Sequence, residues 1–375
     1  MLTRRQLLSA SALMPMFSTL EAAQRRAARA RLAMQASPQG LLFDIERVHP
    51  HAWIALARPA VMINCNAVIF EQTNGLVVVD THSKPSAAAA LLSQIATTVS
   101  AKPVRFLIQT HFHYDHTQGT PAYPSTASVI GTTTTRELLA ELGEKRAASS
   151  VESMRRSAAE ARRRLDAARD ETERRYWRRH ISETETFVRE MRDYRPVLPD
   201  VSFPDGDSGL VLHDRLQDLH LLFRGRAHTA SDICVWSPQS RLLATGDLLS
   251  GFLPGMGDGY PLEWPATLRA VGMLEFDHVL PGHGEVQQGK RQLTLLTGYI
   301  EELNEAVVRA KERGDSLDRV QQTVTPASLL SLSGDFGHYV VESEGRFRLW
   351  APGTNAGQAI ARAVRSNIAR IYETA

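Results

Sequence analysis

Seven residues of this sequence could do chemistry together. From Thr110 to His116 the chain reads Thr-His-Phe-His-Tyr-Asp-His, so His111, His113, Asp115 and His116 place four metal-ligating groups within six positions. That density is hard to explain as packing. On extended backbone His111 and His113 point to the same side, whereas Asp115 and His116 fall where the chain must turn, so the four could be divided between two adjacent cations. Further along stand His228 in Gly225-Arg226-Ala227-His228-Thr229, Asp247 in Thr245-Gly246-Asp247, and His283 in Pro281-Gly282-His283-Gly284. Imidazole with carboxylate suits zinc, and also iron or manganese, so the ligand types leave the metal open.

Each of these residues follows an apolar, strand-like run. Runs at Ala52–Leu56, Asn66–Phe70 and Leu76–Val79, the last two joined by a Thr73-Asn74-Gly75 turn, deliver Asp80 at a strand's end. A helix over Ser86–Thr98 comes next, then a strand over Val104–Gln109 that empties into His111. Leu219–Phe223 precedes His228, Leu242–Ala244 precedes Asp247, and Asp277–Leu280 precedes His283. Ile233–Trp236 adds a strand, and a helix near Ala266–Leu274 follows a glycine-rich loop from Gly251 to Gly259. Alternating strands and helices predict layered α/β packing, with function at the strand ends.

In this order the residues resemble the metallo-β-lactamase-fold hydrolases. The H-x-H-x-D-H signature is met by His111, His113, Asp115 and His116, the later histidine by His228, the bridging aspartate by Asp247, the final histidine by His283, and the first motif by Asp80. The resemblance covers about residues 45–290. It implies an α/β fold, a four-layer αβ/βα sandwich with a two-metal site, expected to be zinc, along its upper edge. One metal would be held by His111, His113 and His228, the other by Asp115, His116 and His283, with Asp247 between them. Asp80 is expected to orient the ligand loop through hydrogen bonds rather than touch metal.

The bridging position narrows the choice of reaction. Antibiotic-hydrolysing members generally carry cysteine or serine there, while members resembling glyoxalase II, the lactonases and related esterases keep aspartate, so Asp247 moves weight away from a true β-lactamase. The expected reaction is hydrolysis of an ester, thioester, lactone or related carbonyl bond in a small-molecule substrate. A water bridging two cations about 3.5–4 Å apart ionises near neutral pH and would be the nucleophile, with Asp115 orienting it as well as binding metal. β-Lactam hydrolysis, iron-dependent persulfide or thiol oxidation, and a non-catalytic metal-binding module are the alternatives.

Residues 136–195 form a separate, charge-rich block, read as a long helical insertion. Met154, Ala158, Ala161, Leu165, Ala168, Thr172 and Tyr176 recur every three or four residues and give a narrow stripe down a long helix. Arginines and acidic residues interleave on the other faces, which favours a solvated hairpin packed on the main domain, or a contact between copies in a homo-oligomer, over a nucleic-acid arm. Tyr194 in this block, Tyr114 in the histidine motif, and Phe252, Met256, Tyr260 and Trp264 after Asp247 are candidates to wall a substrate pocket.

Composition and the chain start bound the rest. The 43 Lys+Arg nearly cancel the 41 Asp+Glu, leaving a formal charge of +2 and no basic field to collect nucleic acid. Two cysteines exclude a disulfide framework and any all-cysteine zinc motif, and Cys65 and Cys234 read as buried free thiols. At residues 1–23, Arg4-Arg5 precedes a charge-free stretch from Gln6 to Leu20, which resembles a twin-arginine export signal and is too short for stable membrane insertion. The expected location is therefore the periplasm, and otherwise the cytoplasm. Residues 24–40 read as a mobile leader, 41–300 as the catalytic domain with its insertion, and 301–375 as a C-terminal helical extension.

Overall fold

The apolar runs pair into two sheets stacked face to face. The computed structural model describes residues 42–62, 64–206 and 209–375; the export-signal segment and the leader at 24–40 lie outside them. The first sheet contains β1 (Phe43–His49), β2 (Ala52–Ala57), β3 (Ala67–Gln72), β4 (Gly75–Val79), β5 (Val104–Ile108), β6 (Ser128–Thr132) and β7 (Val201–Phe203), neighbours in that order. β1 to β4 pair antiparallel, and β4 to β7 pair parallel. Parallel neighbours need crossover connections. The first crossover is α1 (Pro85–Thr98); the second holds the histidine motif and the single turn α2 (Tyr114–Thr117); the third is the insertion, α3 (Thr133–Asp166) and α4 (Glu171–Met191).

The second sheet contains β8 (Leu210–Leu212), β9 (Leu219–Phe223), β10 (Ile233–Ser237), β11 (Leu242–Gly246), β12 (His278–Pro281) and β13 (Gln287–Gln288), again neighbours in sequence order. β11 and β12 run parallel, joined through α5 (Trp264–Gly272), and β9 and β11 both pair antiparallel with the β10 between them. The ends of β9, β11 and β12 therefore emerge at one edge, as do those of β4 and β5 in the other sheet. This topology carries His228, Asp247 and His283 from one sheet toward Asp80 and the histidine motif from the other.

Strand alternation divides the core into layers. Ile54, Phe70, Val77 and Ile108 meet Leu221, Val235 and Leu280 between the sheets. Trp53, Ile69, Val78 and Leu107, on the opposite face of the first sheet, pack with Leu91 and Ile95 of α1. Leu222, Leu243 and Val279 of the second sheet pack outward with Trp264 and Leu268 of α5, and with helices from the C-terminal part. The result is a four-layer αβ/βα sandwich. Central strands are covered on both faces, which explains runs such as Val77-Val78-Val79 that are apolar throughout.

The C-terminal part comprises α6 (Arg291–Glu312), α7 (Leu317–Thr323), α8 (Leu330–Ser333), α9 (Asp335–Phe347) and α10 (Ala356–Thr374). Ile300, at the boundary expected from the sequence, is fully buried within α6 in the same cluster as Phe336, Val340 and Ile368. These helices thus complete the outer layer of the second sheet.

The insertion turns back where the sequence suggested one continuous stripe. Asp170 accepts a hydrogen bond from the Glu173 backbone N–H at 2.9 Å and caps a new helix. Thr172 and Tyr176 accordingly lie on the returning α4 rather than on an extension of α3. The seam joins Ala147 and Val151 of α3 to Phe187 and Met191 of α4. Buried Glu183 fastens the hairpin to the main domain, accepting from the backbone N–H groups of Val61 and Met62 at 2.7 and 3.1 Å.

Candidate metal centre

Asp80 leaves β4 at φ 66°, a left-handed conformation that aspartate tolerates because its short side chain bonds locally. Its Oδ1 accepts from the Thr110 backbone N–H at 2.9 Å, and its Oδ2 accepts from the Thr110 hydroxyl at 2.9 Å and from His116 Nδ1 at 2.7 Å. With its proton given to Asp80, the Thr110 hydroxyl must accept from His111 Nδ1, 3.0 Å away. One carboxylate thereby fixes the tautomers of two histidines, and both Nε2 atoms are left with lone pairs. His111 Nε2 and His116 Nε2 are buried and have no hydrogen-bond partner among the described residues. Buried polar atoms are rarely left so, and a cation is what two such lone pairs would satisfy.

His113 is oriented from the other side. Its Nε2 donates to Asp258 Oδ2 at 2.9 Å, and Asp258 is gripped by Arg146 through Nη1 at 2.7 Å and Nη2 at 2.8 Å. The remaining His113 Nδ1 faces His228 Nε2 at 3.0 Å. Asp247 sits between the groups: its Oδ2 lies 3.6 Å from His228 Nε2 and 3.5 Å from His283 Nε2, and its Oδ1 lies 3.4 Å from His116 Nε2. Asp115 Oδ2 is 3.1 Å from His283 Nε2 and 3.6 Å from His116 Nε2.

Three sets of side chains bring their ligand atoms within 4.8 Å of one another: His111 with His113 and His228, Asp115 with His116 and His283, and His111 with His116 and Asp247. Cys65, Asp80 and His116 also converge. There, however, Asp80 already accepts from three donors, and burial pushes the Cys65 thiol up to about 12.

Electrostatics in the metal-free chain follow from this crowding. Burial and then the neighbouring imidazoles hold His111 far below its ordinary value, and burial with His113 pushes His228 down to about 3. His283 is depressed by burial but overcome by Asp247 and Asp115, which bring it up to about 9. Burial likewise opposes His116, yet Asp247 and the other nearby acids hold it well above its usual range. Asp115 and Asp247 thus favour protons on the imidazoles beside them, and metal binding would have to displace such protons.

Two glycines make the fit possible. A Cβ on Gly246, at φ 51°, would stand 2.4 Å from Thr110 Oγ1; one on Gly282 would stand 2.3 Å from Asp247 Oδ1. On the remaining loop, Asp232 accepts from the Thr229 backbone N–H at 2.7 Å and hydroxyl at 2.9 Å, fixing the turn that presents His228.

Two cavities share His113. One, of about 190 Å³, is lined by His113, Asp115, His228, Asp247, His283, Phe252 and Arg348. The other, of about 330 Å³, is lined by Phe112, His113, Tyr114, Arg146 and Tyr194 among others. Tyr114, Tyr194 and Phe252 thus reach a cavity. Tyr260 reaches neither, because it lies beneath the Arg226 guanidinium, 4.2 Å from ring centroid to Cζ. Met256 and Trp264 are fully buried in the core. Sequence reasoning missed Asp258, Arg146 and Arg348, which come from a loop, the insertion and the C-terminal part; the Gly257-Asp258-Gly259 turn was the one local signal for any of them.

A family model described as the metallo-beta-lactamase superfamily matches residues 62–314, more than half of the chain. The chain belongs to the metallo-beta-lactamase superfamily. A type 2 metallo-beta-lactamase from Bacillus cereus is 39% identical over 83 residues, 20% of this chain, which spans 31% of that protein's length. The fold is similar to that of a metallo-beta-lactamase from Pontibacter korlensis, with a TM-score of 0.50 at 18% identity over 69% of this chain and 99% of the other.

Proposed function

We propose that this superfamily member is a two-metal, zinc-dependent hydrolase of a small ester, thioester or lactone. The observation that carries the proposal is the position of Asp247, whose two oxygens face His116 on one side and His228 and His283 on the other. A carboxylate so placed suits a bridge between two cations. His111, His113 and His228 would hold one, and Asp115, His116 and His283 the other. Two such cations would supply Lewis acidity and lower the pKa of water toward neutrality.

The chain's own groups do the positioning. Asp80 and Thr110 keep the Nε2 lone pairs of His111 and His116 aimed inward. Asp258 does the same for His113 Nδ1. Asp115 lines the smaller cavity and would orient the attacking water there. Esters, thioesters and lactones suit this site because their leaving groups need little protonation. The twin-arginine-like start supports export to the periplasm, and cell fractionation of the full-length protein, with or without Arg4→Lys and Arg5→Lys, tests it.

The function is tested by elemental analysis after zinc-replete refolding, together with a panel of esters, thioesters, lactones and β-lactams. About two equivalents of zinc and ester-type turnover are expected on a two-metal site; less than about one equivalent would remove it. Iron with oxygen uptake would shift the assignment to oxidation. Asp247→Ala should lose both metal and turnover, and unchanged values would end its bridging role.

A further inference from the structure

We infer that the substrate carries a carboxylate close to the bond that is cut, and that Arg348 receives it. This inference rests on the hydrolase function proposed above and concerns the same pocket. Arg348 follows α9 and lines the 190 Å³ cavity with His113, His228, Asp247 and His283. No export, sheet or ligand motif pointed to it. It reaches the metal centre only because the C-terminal helices fold back over the second sheet.

The guanidinium is held on two sides. It lies over the Phe252 ring with Cζ 4.4 Å from the centroid, and that ring is stacked on His283 with centroids 5.4 Å apart. Arg348 Nε lies 2.8 Å from the carboxylate of Glu344, a residue only 3% exposed. Its two terminal nitrogens make no hydrogen bond to any described residue, although the side chain is 30% exposed. The Glu344 contact is an ion pair without an Nε–H hydrogen bond, so the stacking on Phe252 and the charge of Glu344 hold the planar guanidinium at the cavity. A fork with free terminal donors matches the two oxygens of a carboxylate.

Charge and space agree with this assignment. Glu344 already balances Arg348, while two divalent cations would outweigh Asp115 and Asp247, so the floor of the loaded pocket would be positive and would favour an anion. The cavity is smaller than the roughly 300–1,000 Å³ typical of sites for drug-sized ligands. The anionic group and the scissile carbonyl must therefore lie near each other, with the remainder of the substrate extending past His113 into the neighbouring cavity.

The test compares 3-acetoxybenzoate with its uncharged methyl ester on the zinc-loaded protein, and measures benzoate binding by calorimetry. Arg348→Met is paired with the double variant Glu344→Gln/Arg348→Met, which leaves no buried carboxylate without its partner. Both should lower the ratio of kcat/KM for the anionic over the neutral ester by about 30-fold, with a comparable loss of benzoate affinity. Arg348→Lys should recover part of each, since it restores charge but not the fork. A ratio within about twofold of wild type in the folded double variant would overturn the subsite while leaving the hydrolase function standing. If neither ester is cleaved but benzoate affinity still falls in the variants, the subsite stands and the hydrolase function fails. Absence of benzoate binding to the wild type, with no cleavage, overturns both.

Discussion

Arg146, on the long helix of the insertion, grips Asp258 through both terminal nitrogens at 2.7 and 2.8 Å, and Asp258 in turn accepts from His113. The hairpin is thereby tied to a candidate metal ligand. Arg146 also lies over Phe112, the residue between His111 and His113, at 4.8 Å. Arg146→Met or Asp258→Asn should weaken metal binding about 10- to 100-fold, the range seen when a partner of a metal-binding histidine is removed. Chelator competition measures it, and affinities equal to wild type would show that the brace plays no part.

Asp80→Asn should cost more than its size suggests. The amide cannot accept from the Thr110 hydroxyl and His116 Nδ1 at the oxygen it has lost. At least one buried donor is left unsatisfied, at a cost of about 1–3 kcal/mol of stability in denaturant titration. His116 is also released to take the tautomer with a proton on Nε2, so bound metal should fall; full metal content with wild-type stability would refute the tautomer role.

Gly282→Ala should displace Asp247, because its Cβ would lie 2.3 Å from Asp247 Oδ1 and 2.9 Å from His116 Cε1. Metal content and activity should drop together. Gly298→Ala is the matched control: it lies within α6 with no atom within 4 Å of its Cβ position. There, alanine should raise stability by about 0.5–1 kcal/mol, and the reverse pattern in the two variants would contradict the packing described.

Both thiols should resist alkylation in the native state. Burial pushes Cys65 and Cys234 up to about 12, above the ordinary value near 8.5. A raised value keeps each thiol protonated through neutral pH and well above it, so iodoacetamide at pH 8 should label neither. Both should react in denaturant without reductant, since both are free cysteines. Mass spectrometry counts the adducts, and rapid native labelling would show that either site opens.

The strand ends that carry the candidate ligands were legible in the sequence because each follows a strong apolar run, and Leu219–Phe223 was placed residue for residue. The place of Asp80 at the end of Val77-Val78-Val79 was legible for the same reason, whereas an orienting role for it came only from the family resemblance. β6 and β7 went unread: each is short, and β7 is largely exposed, so neither shows a clear alternation. Asp258, Arg146 and Arg348 lie on a loop, a helix face and a helix end, where a single charged side chain is indistinguishable from surface. Their roles depend on tertiary contact alone. Tyr260 shows the converse case, an aromatic beside the motif that folding turned toward Arg226 instead.

The facing nitrogens of His113 and His228 are separated by 115 residues along the chain and are supplied by opposite sheets. A cation gripped by both would be a removable cross-link through the sandwich, present only after the two halves have docked in register. Its stabilisation would rise with the logarithm of free metal concentration. The midpoint of thermal unfolding would then report metal supply, and a starved chain would be the one most exposed to proteolysis.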